Sequence, residues 1–181
     1  MLKSGGDYDA EYVYRLKAGV DANLAGHQFI CLSDVDVPGV DRIPLLHDWQ
    51  GWWSKIELFR VTGPALYFDL DTIITKNITA LADAAKQYPM VMLRDFLRDT
   101  PASGVMAWSG DMSKIYTDYK HGTHYPGHGD QGYIASMVKP VYWQDILPSA
   151  IVSKKLHRDR QAASVVCYHG QPRPHQTGWS E

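Results

Sequence analysis

Apolar positions recur along this chain in two rhythms. In "EYVYRLKAGVDANLAG", Val13, Leu16, Val20 and Leu24 fall three or four residues apart, which predicts an amphipathic helix closed by Gly26. "GWWSKIELFRV" predicts a short helix that Gly63-Pro64 interrupts. "ITALADAAKQY", "QGYIASMV" and "DMSKIYTDYK", the last with Asp111 as its cap, predict further helices. Short apolar runs predict strands at "QFICLS", "ALYFDL", "MVMLRDF", "SGVMAWS", "VYWQDI" and "SVVCYHG". "DVDVPGVDRIP" and "HGTHYPGHGD" read as loops from their Pro, Gly and Asp content, and 171–181, "QPRPHQTGWSE", as a tail. Strands and helices alternate, so the expected architecture is α/β, with helices flanking a largely parallel sheet. The chain enters a Gly-Gly turn by its fifth residue, so a first strand is expected to be short or missing. One domain over 1–181 is expected at this length.

Composition narrows the function. A hydrophobic fraction of 45% supports a sizeable core. Eighteen basic against twenty acidic residues give a net charge of −2, which argues against a general polyanion binder, so no nucleic-acid partner is expected. Six tryptophans and eleven tyrosines serve core packing and also suit flat polar substrates such as sugars. Cys31 and Cys167 lie in apolar runs and read as buried thiols rather than a disulfide framework. No apolar run approaches the ~18 residues of a membrane span. No secretory signal is visible, and a cytoplasmic setting is the expectation.

The chemistry concentrates in "ALYFDLDTII", where Asp69 and Asp71 close an apolar strand. Two carboxylates this close repel, and one tends to take up a proton. A divalent ion removes that cost; oxygen ligands suit Mg²⁺ or Mn²⁺, which commonly bridge carboxylates to substrate phosphates. Such aspartates also cap turns, and that reading stands beside the first. In open α/β sheets ligands bind beyond the carboxyl ends of strands, where this pair lies. His169 follows another apolar strand and is the best further ligand; Gly170 permits close backbone approach and Arg173 can pair with phosphate. Two enzyme classes use such a pair. A phosphohydrolase of the haloacid dehalogenase type needs DxDG(T/V), but Thr72 and Ile73 follow Asp71 here and no later GDxxxD partner is found. The other class is the nucleotide-sugar transferases.

Four motifs favour the second class. "YFDLDT" resembles the DxD strand of GT-A glycosyltransferases. "HGDQGYI" resembles the Asp-Gln element of glycosyltransferase family eight and its relatives, and "YHGQPRP" the late H-x-G-x-K-P region of that group, with arginine where lysine is common. "YDAEYVYRLKAGV" and "GWWSKIELF" resemble a bacterial and phage branch of such enzymes. The resemblance covers nearly the whole chain in the same order. It implies a GT-A-like, Rossmann-like mixed sheet, mainly parallel and flanked by helices, and a transferase that moves a sugar, with retention, from a UDP-sugar donor to a glycan or other small acceptor. It implies that Asp69, Asp71 and His169 hold Mn²⁺ (or Mg²⁺). Gly170 and Arg173 face the phosphates, and Lys55 steadies the donor. Ser4, Gly5 and Tyr8 form the turn at the base, Ser103 and Gly104 border the sugar, and Asp130 and Gln131 lie beside the reacting carbon. A non-catalytic nucleotide-sugar or glycan-binding remnant is the alternative from another class, prompted by the short N-terminus.

Other clusters carry weaker expectations. His121, His124 and His128 have spacings that suit zinc, but the loop is rich in glycine and reads better as a flank of the active site. Trp49, Trp52, Trp53 and Phe59 read as core first and as a sugar platform second. Arg94, Asp95, Arg98 and Asp99 read as a salt-bridged surface, with Asp95 near the acceptor as the alternative. Ser153, Lys154 and Lys155 in "IVSKKLHRD" read as a solvated basic loop, with an acceptor or phosphate role second.

Overall fold

The computed structural model describes residues 1–121 and 129–179. Helix α1 (Ala10–Asn23) starts where the Asp9 carboxylate accepts the Glu11 N–H at 3.0 Å, and it buries Tyr12, Val13, Leu16 and Val20. Strands β1 (Ile30–Ser33) and β2 (Asp41–Pro44) pair in parallel. The β2 stretch was expected to be loop. Its Asp-Arg-Ile-Pro sequence leaves only Ile43 half-buried, so no apolar rhythm marks it, and it forms because β1 offers an edge. The expected first strand is one parallel bridge, Leu2 to Ser33.

A 3₁₀ helix, Gly51–Arg60, follows at the predicted place. Then come β3 (Ala65–Phe68), β4 (Thr72–Ile74), α2 (Thr79–Gln87), β5 (Met90–Arg94), β6 (Pro101–Trp108), α3 (Ser113–Thr117) and α4 (Gly129–Met137). The chain continues through β7 (Val141–Tyr142), α5 (Trp143–Ile146), β8 (Ile151–Ser153), β9 (Val165–Cys167) and a 3₁₀ turn, Pro174–Thr177. One sheet has the order β3-β6-β5-β7 and another the order β4-β9-β8. The architecture is mixed α/β with helices against the sheets, as expected. Parallel pairing does not dominate, however. β1–β2, β5–β7 and β8–β9 are parallel, while β3–β6, β5–β6 and β4–β9 are antiparallel. The short link between β5 and β6, tied by Asp95 N–H to the Thr100 carbonyl at 2.8 Å, leaves no room for the crossover that parallel strands need. "VYWQDI" gives only two strand residues, because Trp143 turns inward, is 1% exposed and donates its indole N–H to the Val105 carbonyl at 3.0 Å.

The crossing between the two sheets positions the DxD stretch. β3 ends at Phe68 in one sheet and β4 begins at Thr72 in the other. Asp69 N–H donates to the Gly104 carbonyl at 2.8 Å, and the Asp71 carbonyl accepts the Tyr168 N–H at 2.9 Å. Leu70 between them is buried in the core.

The 3₁₀ helix that carries Lys55 is itself anchored by Glu57. This side chain is fully buried; its carboxylate accepts the N–H groups of Leu46 and His47 at 2.8 and 2.9 Å and pairs with Arg60 at 2.7 Å. Removing it leaves two backbone donors and a partly buried guanidinium without their acceptor, and a space where a fully buried side chain stood. Glu57→Ala is expected to cost about 3 kcal/mol and lower Tm by about 6–12 °C, read by urea and thermal unfolding. A loss below about 0.5 kcal/mol would contradict this anchoring role.

Candidate active site

A cavity of about 430 Å³ opens where β3, β6, β9, α4 and the 3₁₀ helix Gly51–Arg60 converge. It is lined by Tyr8, Lys55, Asp69, Asp71, Ser103, Gly104, Asp130, Gln131, His169, Gly170 and Arg173, residues from every quarter of the sequence that the motifs singled out. Ser4 and Gly5 are not among its lining residues. Ser4 turns to Asp34, which accepts from its N–H at 2.8 Å and its hydroxyl at 2.5 Å, and Gly5 sits in an exposed turn at φ 74°.

Each DxD carboxylate is held by a cation and a phenol. Asp69 accepts from Lys55 Nζ at 2.8 Å and from Tyr67 OH at 2.6 Å. Asp71 accepts from Tyr8 OH at 2.8 Å and from an Arg173 Nη at 2.9 Å. Arg173 also donates to the Tyr8 hydroxyl, lies over the Tyr8 ring at 5.0 Å and pairs with Asp7 at 2.8 Å. Its Nε is buried and has no hydrogen-bond partner among the described residues. Burial first, and then the neighbouring Asp69, pushes the Asp71 carboxyl up to about 6 against the pull of Tyr8, Arg173 and Lys55.

Asp130, in the first turn of α4, closes the other side. Its carboxylate accepts from Ser103 Oγ at 2.6 Å, and Lys55 Nζ lies 4.0 Å away. Lys55 Nζ also donates to Ser103 Oγ at 3.2 Å, so Asp69, Lys55, Ser103 and Asp130 form one buried chain of polar contacts. Burial raises the Asp130 pKa, and Lys55 and Ser103 oppose that rise. For Lys55, burial works against the charge, but Asp69 and Asp130 outweigh it and raise the ammonium pKa.

His169 shares the cavity, but its Nε2 hydrogen-bonds Ser153 Oγ at 2.7 Å and its ring stacks on Phe96 at 5.8 Å. Burial, then Lys155, lowers its pKa, with Asp95 opposing. Lys155 donates to the His169 carbonyl. Among the described residues no three His, Cys, Asp or Glu side chains are grouped to hold a metal ion. The expected trio of Asp69, Asp71 and His169 therefore meets in one cavity without forming a closed ligand set. The chemistry of the DxD pair does fit a hard divalent cation: two close carboxylates, one with a raised pKa, leave coordination positions for water and phosphate oxygens.

The weaker clusters separate. His121 stacks on Trp49 at 6.2 Å, whereas His124 and His128 lie outside the described residues. Trp49 and Trp53 pack around Tyr119, and Phe59 is core; Trp52 alone of that group lines the cavity, 59% exposed. Arg94 pairs with Asp99 and Asp145, as a surface cluster should, while Asp95 lines the cavity. Ser153 is buried at the end of β8 and does not belong to a solvated loop. Cys31 and Cys167 are buried free thiols. No helix among the described residues is long and apolar enough to cross a membrane. Sequence reading missed Tyr67 and Asp7. Tyr67 was findable, since positions two apart on a strand share a face and so put its ring beside Asp69.

The chain is similar in fold to the glycosyltransferase GlyE of Streptococcus pneumoniae TIGR4, with a TM-score of 0.60 at 15% identity over 93% of this chain and 54% of that one. Against the apo form of GlyE the TM-score is 0.63 at 14% identity, over 95% of this chain and 54% of that one. The chain thus spans about half the length of those glycosyltransferase structures. No protein-family model and no curated protein matches the sequence. The fold is a mixed α/β fold of the kind seen in a glycosyltransferase.

Lys55 is the cation between Asp69 and Asp130, so Lys55→Met should cost about 2–3 kcal/mol at pH 7. Without Lys55 the raised Asp130 pKa rises further. The folded state then binds a proton that the unfolded chain releases above about pH 4. Stability of the variant relative to the parent should therefore recover as pH falls from about 7 toward 5, and unfolding curves across that range check it. A deficit that stays constant with pH would contradict the buried-charge account.

Proposed function

We propose that this chain is a metal-dependent glycosyltransferase of the GT-A type, which moves a sugar from a nucleotide-sugar donor, most simply a UDP-sugar, to a glycan or other small acceptor. The observation that carries the reading is the single cavity where Asp69, Asp71, Lys55, Arg173 and Asp130 meet, on a fold similar to that of a glycosyltransferase. Asp69 and Asp71 would hold Mn²⁺ or Mg²⁺, with His169 as a third ligand at the expense of its Ser153 hydrogen bond. The ion would supply Lewis-acid stabilisation of the departing diphosphate.

The chain's own groups supply the rest. Beside the DxD pair, the buried Arg173 Nε–H has no partner among the described residues and is a donor suited to a phosphate oxygen. Lys55, held charged by its carboxylates, adds fixed positive potential where negative charge develops on the leaving group. Gly104 lies against the Asp69 carboxylate in the cavity lining, so a longer side chain there would take up space beside the DxD pair. Ser103 and Lys55 fix the Asp130 carboxylate in place, and with Gln131 it offers acceptor oxygens to a sugar carbon gaining positive charge. Such support needs no covalent intermediate and is compatible with retention of configuration.

One observation favours the second reading, a non-catalytic nucleotide-sugar or glycan-binding module. Ser4 and Gly5, expected at the base, lie outside the cavity lining. Multiple turnover on any acceptor, or on water, would exclude that reading.

Calorimetric titration of UDP into the protein should show binding with Mn²⁺ that disappears with a chelator. Asp71→Asn should weaken it at least about a hundredfold, since one metal-binding oxygen and its charge are lost. Equal affinity with and without metal, or an unaffected Asp71→Asn variant, would overturn the assignment.

A further inference from the structure

Arg173 reaches the site from a segment that is tied down behind it. The 3₁₀ turn Pro174–Thr177 buries Pro174, and the Tyr12 hydroxyl of α1 meets the His175 ring. Trp179 lies edge-on to Tyr12 at 4.6 Å and beneath the Arg15 guanidinium at 4.5 Å. The Arg173 backbone N–H donates to Gln176 Oε1 at 2.6 Å. The backbone of Arg173 is thereby held, and what its guanidinium touches is set by side-chain rotamers.

The guanidinium divides its donors unevenly. One Nη serves the Asp71 carboxylate at 2.9 Å and the Tyr8 hydroxyl, and the other serves Asp7 at 2.8 Å. The buried Nε–H has no partner among the described residues. Tyr8 and Arg173 converge on one Asp71 oxygen, Oδ2, while Oδ1 accepts no hydrogen bond from the described residues. The Asp7 side chain is 70% exposed and remains a partner for a guanidinium that leaves Asp71. Lys55 is placed differently. It is buried, and a change at Asp69 leaves it Ser103 at 3.2 Å and Asp130 at 4.0 Å.

A guanidinium and a divalent cation compete for Asp71, because each supplies the positive charge that the carboxylate needs. A cation arriving alone must displace Arg173. A diphosphate gives the displaced guanidinium a planar, bidentate match. Each ligand then favours the other, by the same factor in both directions. An arginine that stayed in place would repel the cation equally with and without nucleotide, and would change affinity but not this factor.

Resting on the transferase reading above, we propose that Arg173 is an exchangeable counter-ion: it neutralises Asp71 until a divalent cation takes that carboxylate, and then swings to a phosphate oxygen of the nucleotide. Asp7 keeps the guanidinium within reach during the exchange, and Lys55 stays where it is.

The test measures Mn²⁺ binding from the electron paramagnetic resonance of the free ion, with and without UDP, for the parent, Arg173→Met and Arg173→Gln. In the parent, UDP should tighten Mn²⁺ binding by about a hundredfold. Both variants should bind Mn²⁺ alone about fivefold or more tighter than the parent does, and UDP should then add about tenfold or less. Should neither variant fold, the ¹⁵N-labelled parent decides: one arginine Nε–H signal should shift with Mg²⁺ and UDP together and stay in place with UDP alone. Equal coupling in parent and variants, variants that bind Mn²⁺ alone no more tightly, or an Nε–H signal that ignores the cation would overturn the exchange and leave the metal site standing. Absence of Mn²⁺ binding in every form would overturn the transferase reading and this inference with it, so the two failures are told apart.

Discussion

The structure turns on a crossing of three residues. Between Phe68 and Thr72 the chain leaves one sheet and enters another, and backbone bonds pin both ends of the passage, Asp69 to Gly104 and Tyr168 to Asp71. Leu70 is drawn into the core, so the residues on either side present their carboxylates to the cavity. Two like charges fixed this way would destabilise the crossing if left alone. The fold answers with a partner set for each: Lys55 and Tyr67 on Asp69, Arg173 and Tyr8 on Asp71. Those partners come from the 3₁₀ helix, from β3 itself, from the approach to α1 and from the segment after β9. The crossing therefore dictates where distant parts of the chain must end.

The charge balance explains the kind of ligand that suits the cavity. Among the described residues that line it, Asp69, Asp71 and Asp130 have Lys55 and Arg173 as their lysine and arginine partners. A free diphosphate would meet carboxylates, and a bare cation would meet an ammonium and a guanidinium. A cation and a diphosphate arriving together satisfy both sets, because the metal takes the carboxylates while the phosphates take the basic groups. The raised Asp71 and Asp130 pKa values are signs of the same imbalance, since burial has left each carboxylate with less compensation than water would give. Asp130 differs in role because Ser103 and Lys55 hold it on the opposite side of Asp69, away from Arg173.

The sequence made the long elements legible and the short ones obscure. α1 and α2 each bury an apolar stripe, and β5 and β6 are continuous apolar runs, so period and composition sufficed. β4 and β8, three residues each, are too short for any rhythm, and β2 is polar because it lies exposed on β1. Strand direction was the larger error, since it depends on which edges meet and not on any one segment. In the site, DxD stood out because charges interrupt an apolar run, and the motifs led to Lys55, Ser103, Asp130 and Arg173. The hydrogen bond between His169 and Ser153 was not readable, because it joins β8 to the end of β9, and β8 had not been recognised as a strand. Ser4 was misplaced for a similar reason: its partner, Asp34, sits just beyond β1, where only tertiary packing brings the two together.

β3 also borders a second cavity, of about 670 Å³ and mainly apolar. Its end delivers Asp69 to the polar cavity, while its outer edge opens on the apolar one. Tyr67 links them: it lines the apolar cavity, and its hydroxyl donates to Asp69, which lines the polar one. A carboxylate can direct a cation only as well as its own supports are fixed, and here one of those supports rests on a sheet edge that β6 holds from one side. Order at the Asp69 carboxylate is therefore governed by two different forces. Electrostatic pairing with Lys55 acts from the buried 3₁₀ helix, and apolar packing acts through Tyr67. The first responds to pH and salt, and the second to whatever fills the space beside β3.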